Sequence, residues 1–129
     1  MKGTLYGVGV GPGDPELMTL KAVRMIRENE IIAVPGADVK ETVAYKIAVQ
    51  AVPELADKEL LPIYMPMTHD AKELEENHAK GAKTLEACLD QGKNVVFLTL
   101  GDPCVYYTFS YLQHRVEADG YNTELVRGI

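Results

Sequence analysis

Thr4-Leu-Tyr-Gly-Val-Gly-Val-Gly-Pro-Gly-Asp-Pro-Glu-Leu17 is the stretch on which the reading of this chain turns. Leu5, Val8 and Val10 give it the apolar content of a buried strand, and Gly7, Gly9, Gly11 and Gly13 alternate through it. Glycine weakens a strand, so this density indicates that something approaches the backbone closely. Asp14 is a good N-cap and Pro15 a good first helical residue, so a helix is predicted to start there. A helix N-terminus offers unpaired N–H groups and partial positive charge, which suits an anion. The plain alternative is a tight strand-to-helix turn without a ligand. The cost of glycine inside a strand favours the ligand site.

Outward from this stretch, Leu17, Leu20, Val23 and Ile26, with Ala22 and Met25 beside them, predict a helical stripe from Pro15 to about Glu28. Glu30 to Val34 is a short apolar run ended by Pro35-Gly36, a buried second strand. Val43, Ala44, Ile47, Ala48 and Ala51 predict a helix over 41–52, stopped by Pro53. Leu60 to Met65 reads as a weaker strand in which Pro62 suits an edge or a bulge. Ala71, Leu74, His78, Ala82, Leu85 and Leu89 mark one face of a long helix, with Gly92 placed for its C-terminal cap. Asn94 to Leu100 is the clearest buried strand. Gly101-Asp-Pro103 then repeats the chemistry of residues 13–15, before a helix carrying Val105, Phe109, Leu112 and Val116 and closed by Gly120. Thr123 to Val126 is a last strand. Five strands alternating with four helices predict an α/β fold, a mostly parallel five-stranded sheet with helices on both faces. Ligands in such sheets sit beyond the carboxyl ends of the strands, so both Gly-Asp-Pro turns belong to one rim.

Composition narrows the function. At 129 residues the chain is about one domain long. A net charge of −6 argues against a general nucleic-acid binder. No apolar run approaches the roughly 20 residues of a membrane helix, and no signal peptide is recognisable. Cys88 and Cys104 stand in unrelated contexts, which points to a reduced, cytoplasmic protein. The chain stops at Arg127-Gly-Ile129 directly after a strand-like run, which reads as a cut through a larger protein.

Several familiar sites are excluded by spacing. From Gly7 or Gly9, the third glycine of a G-x-G-x-x-G fingerprint falls on Pro12 or Asp14, and no phosphate-loop motif is present. NAD and ATP are therefore poor candidates. His69, His78 and His114 are far apart and no C-x-x-C pair exists, so no metal site is predicted. His78, on the apolar face of its helix, reads as a core or boundary residue. Cys104, after the second turn, reads as packing rather than an activated thiol. Tyr106 is close enough to that turn to touch a ligand, whereas Tyr107 and Tyr111 are expected to be half-buried. Lys21, Arg24 and Lys46 are the cations most easily placed near the rim, though an ordinary solvated face is the safer reading for each.

Val8-Gly-Val-Gly-Pro-Gly-Asp-Pro-Glu-Leu-Met-Thr-Leu-Lys-Ala22 resembles the opening signature of the tetrapyrrole (corrin/porphyrin) methyltransferases, and Gly101-Asp-Pro-Cys-Val-Tyr106 their second, G-D-P-x-x-Y. The two occur in the family's order, with Ala33-Val-Pro35 between them. The resemblance covers the whole chain but only the N-terminal half of the family's two-domain, roughly 230-residue pattern. It implies that residues 1–129 are an N-terminal α/β domain whose C-terminal partner lies outside this chain. Tyr106-Tyr-Thr-Phe-Ser-Tyr-Leu112 and Gly120-Tyr-Asn-Thr-Glu-Leu-Val126 look most like the precorrin-2 and cobalt-precorrin-2 C20-methyltransferases of cobalamin biosynthesis.

What the resemblance implies is S-adenosylmethionine-dependent methyl transfer to a tetrapyrrole. It places cofactor contacts at Leu100, Gly101, Asp102 and Val105, with Tyr106 adjacent and Pro12 joining from the first turn. Asp14 matches the aspartate that some relatives are proposed to use as a base. A third cofactor turn, P-G-[IV]-[TS]-[SA] in the family, here reads Arg127-Gly-Ile129, with arginine for proline and no Thr or Ser. The family also implies a homodimer with its site between two domains, so the chain alone is expected to be inactive. Competing readings are another family member acting on a different tetrapyrrole, ribosomal RNA or a diphthine precursor, and a non-catalytic α/β binding domain. The negative charge leans against RNA.

Overall fold

The computed structural model describes residues 2–10, 16, 18–36, 38–63, 70–99 and 103–126, of which 103–108 are described by their backbone alone. Five strands, β1 (Thr4–Gly9), β2 (Ile31–Pro35), β3 (Glu59–Ile63), β4 (Val95–Thr99) and β5 (Asn122–Val126), alternate with four helices. The helices are α1 (Leu20–Glu28), α2 (Val43–Ala51), α3 (Ala71–Asp90) and α4 (Pro103–Ala118). The strands form one sheet in the order β3-β2-β4-β1-β5, and every pair is parallel. The expected parallel sheet covered on both faces is therefore present. Pro62 lies in β3, an edge strand, where a residue without an N–H interrupts little.

Alternation along the central strands divides the interior into two cores. Val8 and Val10 of β1, Ile32 and Val34 of β2, and Val96 and Leu98 of β4 face α1 and α2. Leu5 of β1, Ile31 and Ala33 of β2, and Val95 and Phe97 of β4 face α3 and α4. All five residues of β4 are buried, as befits a central strand covered on both sides.

Local signals explain most helix ends. The Asp70 carboxylate accepts hydrogen bonds from the Lys72 and Glu73 amides at 2.9 and 3.2 Å, capping α3. At the other end Gly92 has φ 79°; its amide donates to Leu89 O and that of Lys93 to Cys88 O. Gly120, with φ 96°, ends α4 in the same way through Gly120 N–H to Glu117 O and Tyr121 N–H to Val116 O. Both are Schellman closures, in which a left-handed residue turns the chain back onto open carbonyls.

The first helix differs from expectation. α1 starts at Leu20, not Pro15, and its N-cap is Thr19, whose hydroxyl accepts from the Ala22 amide at 3.1 Å. Asp14 is therefore not its N-cap nor Pro15 its first residue, and Leu17 lies outside the described residues. The buried side chains are Ala22, Met25 and Ile26, with Met18 ahead of them, while Leu20 is 89% exposed. A stripe counted from residue 17 assumes helical phase where the helix has not begun, which puts Leu20 on the wrong face. In α2 the same effect exposes Val43, the first residue after the Thr42 cap.

Candidate functional site

β1 and β4 lie side by side in the sheet, yet their connections leave in opposite directions. From β1 the chain passes through α1 to β2 on one side, and from β4 through α4 to β5 on the other. β1 and β4 are paired neighbours, so their carboxyl ends border the switch-point crevice in which parallel α/β sheets bind ligands. The ladder runs from Leu5↔Val95 to Gly9↔Thr99, and the Val10 amide extends it by donating to Thr99 O at 2.9 Å. Thr99 and Val10 are buried at this rim.

The sequence places the first glycine turn directly after β1 and Gly101-Asp-Pro103 directly after β4. The two strands that precede these stretches are thus neighbours in the sheet. Pro12, Asp14, Leu100, Gly101 and Asp102 themselves lie outside the described residues, as do His69 and the third turn, Arg127-Gly-Ile129. Val105 and Tyr106 lie in the first turn of α4, and their side chains, like those of Cys104 and Tyr107, are outside the description.

One glycine of the opening stretch has a visible role. A β-carbon built on Gly7 would fall 2.3 Å from Cε2 of Phe109 and 2.4 Å from its Cζ. What approaches the backbone at this position is the α4 side chain. Gly3 likewise has the Lys93 carbonyl oxygen 1.9 Å from where its β-carbon would be.

The cations named from the sequence are largely engaged by carboxylates. Lys21 Nζ lies 3.6 Å from Glu124, linking α1 to β5, and Lys46 Nζ lies 3.8 Å from Glu41. Arg24 is exposed.

A polar group not singled out from the sequence occupies the seam between α3 and α4. Tyr111 donates its hydroxyl proton to Glu75 Oε2 at 2.7 Å, and Arg115 Nη1 donates to Glu75 Oε1 at 2.5 Å. These two bonds, with that from Arg115 the stronger influence, hold the Glu75 carboxyl below its usual range. His78 is buried beside them, as the sequence suggested, and burial pushes its pKa down against the attraction of Glu75. Tyr111 is 40% exposed, close to the half-buried state expected. The signal for this cluster lies in one pair on each helix, Glu75 and His78 three residues apart on α3 and Tyr111 and Arg115 four apart on α4, which a search for rim residues passes over.

A cavity of about 350 Å³ lies at the amino ends of the strands, lined by residues 28–31 with Glu59, Lys93 and Asn94. It is on the far edge of the sheet from the switch point. Among the described residues, no group of three or more His, Cys, Asp or Glu side chains is placed to hold a metal ion. No helix among them is long and apolar enough to cross a membrane.

Comparison with known proteins agrees with this architecture. A probable cobalt-precorrin-2 C(20)-methyltransferase of Methanocaldococcus jannaschii is 36% identical over 126 residues, covering 97% of this chain and 52% of the relative. A precorrin-2 C(20)-methyltransferase of Sinorhizobium is 31% identical over 137 residues, covering 98% and 54%. The chain thus spans about half the length of these curated relatives. The crystal structure of a Thermus thermophilus uroporphyrin-III C-methyltransferase complexed with S-adenyl homocysteine superposes with a TM-score of 0.66 at 29% identity. It is matched by 98% of this chain over 48% of its own length. The family model of the tetrapyrrole (corrin/porphyrin) methylases matches residues 4–129, and the chain belongs to that family.

Proposed function

We propose that the chain forms the N-terminal half of a two-domain, homodimeric, cytoplasmic enzyme that methylates C20 of precorrin-2 or cobalt-precorrin-2, using S-adenosylmethionine, in cobalamin biosynthesis. The observation that carries this reading is the pairing of β1 with β4, the two strands after which the Gly-Asp-Pro stretches follow in sequence. The two C(20)-methyltransferase relatives, similar over nearly all of the chain, support the choice of ring position.

The described residues fit an adenosyl cofactor through the crevice, where adjacent strand ends are left by chain departing in opposite directions. Leu100, Gly101, Asp102, Val105, Tyr106 and Pro12 are the proposed holders. The cofactor supplies an electrophilic methyl group for in-line transfer to carbon, so the protein chiefly contributes alignment and exclusion of water. Asp14 is the proposed base, which would take a proton from the substrate. The tetrapyrrole's carboxylates require cations, and Arg24 is the exposed cation of this chain proposed to meet them.

The test is methyl transfer by the protein at its natural length, with labelled S-adenosylmethionine and precorrin-2, with and without cobalt. Label in the tetrapyrrole is the expected result, and its dependence on cobalt selects the substrate. Asp102→Ala should weaken S-adenosylhomocysteine binding by at least about tenfold, the usual cost of removing a hydrogen bond to a charged group. Unchanged affinity would overturn the site assignment. Tight binding without tetrapyrrole label would redirect the search to RNA or protein substrates, and absence of both would leave a non-catalytic domain.

A further inference from the structure

Gly7 of β1 and Phe97 of β4 are register partners, and Phe109 of α4 packs across both. The Phe97 and Phe109 ring centroids are 5.3 Å apart, and a β-carbon on Gly7 would overlap three atoms of the Phe109 ring, the nearest at 2.3 Å. Phe109 is fully buried, among Leu5, Phe97 and Leu112 of the same core. A close-packed interior leaves such a ring no free volume into which to retreat. Two residues beyond Gly7 and Phe97, the pair Gly9↔Thr99 ends the ladder, about 7 Å nearer the carboxyl rim. Pro103, where α4 opens, precedes Phe109 by about 9 Å of helix. One ring therefore touches both strands that lead into the two glycine turns, and belongs to the helix that leaves the second.

We propose that Gly7 is a positioning residue for the methyl-donor site. Its missing β-carbon lets Phe109 seat against the sheet, which sets the depth of α4, and with it the backbone of Val105 and Tyr106 in its first turn, beside the carboxyl ends of β1 and β4. This rests on the methyltransferase reading above. A β-carbon at Gly7 would lift α4 from the sheet under the crevice, and removing the ring at Phe109 would let α4 sink. Each change alone misplaces the first turn of α4, and together they compensate.

The experiment measures S-adenosylhomocysteine affinity by calorimetry, and Tm, on the protein at its natural length. Gly7→Ala and Phe109→Leu should each weaken binding by about tenfold, since misplacements near 1 Å carry penalties of that order or more. The double variant should return to within about threefold of the unmodified protein, because the alanine methyl fills space that the Phe109 ring vacates. Leu55→Ala, in the core on the opposite face, should lower Tm as much and leave affinity unchanged. If Gly7→Ala does not fold, Phe109→Leu and the double variant still decide the matter. Affinity that follows Tm across the variants, wild-type affinity in Phe109→Leu, or a double variant no tighter than Phe109→Leu would overturn the proposal. No binding by the unmodified protein would overturn the methyltransferase reading itself, and this proposal with it.

Discussion

The His78 ring lies against the ring of Tyr111, centroids 4.1 Å apart and planes tilted by 32°, in the seam between α3 and α4. Nδ1 of His78 is buried and has no hydrogen-bond partner. Burial lowers its pKa from the ordinary 6.5, with Arg115 adding to the shift and Glu75 opposing it. The unfolded chain therefore binds this proton more readily than the folded one. The contribution is present above pH 6.5 and is lost as pH falls below it. His78→Phe should lose less Tm than the unmodified chain between pH 7 and pH 5. Parallel losses in thermal melts at the two pH values would refute this.

Glu86 of α3 titrates in the opposite sense. Burial first, then a hydrogen bond and repulsion from Asp119 at the end of α4, push its carboxyl up to about 7. The folded state holds this proton more tightly, so the stabilisation is complete below the ordinary 4.5 and disappears as pH rises through about 7. Glu86→Gln keeps the neutral form at every pH. At pH 8 it should melt a few degrees above the unmodified chain, on the order of 1 kcal/mol once solvent screening is allowed for. Equal melting at pH 8 would remove the basis for the shift.

Asp70 caps the longest helix, one of its carboxylate oxygens accepting two backbone hydrogen bonds. Asp70→Ala should cost about 1 kcal/mol, and Asp70→Ser should recover most of it. Urea denaturation of the three proteins, at constant m, measures this directly.

Gly3 offers a sharper substitution. The Lys93 carbonyl would lie 1.9 Å from an added β-carbon, and the Gly3 amide donates to Leu89 O at 2.8 Å. The obstructing atom is backbone, so the strand entry or the turn after α3 must move. Gly3→Ala is expected to destabilise by more than about 2 kcal/mol, at the upper end for overpacking. A loss below 0.5 kcal/mol, as for an ordinary surface change, would show that this junction yields easily.

Residue order alone determined the five strands, the four helices and their alternation, because periodicity, Pro62, Gly92 and Gly120 act within a few residues of themselves. It also placed the two Gly-Asp-Pro turns after strands, and hence on one rim. Where a helix begins was less legible: capping competes among nearby candidates, and Thr19 rather than Asp14 caps α1. Strand order was not legible at all. That β1 and β4 are neighbours, and that their connections part in opposite directions, depends on contacts between residues about 90 positions apart. The same holds for Gly7: a glycine in a strand shows only that something comes close. That it is Phe109, from the far end of the chain, is a matter of how α4 packs on the finished sheet.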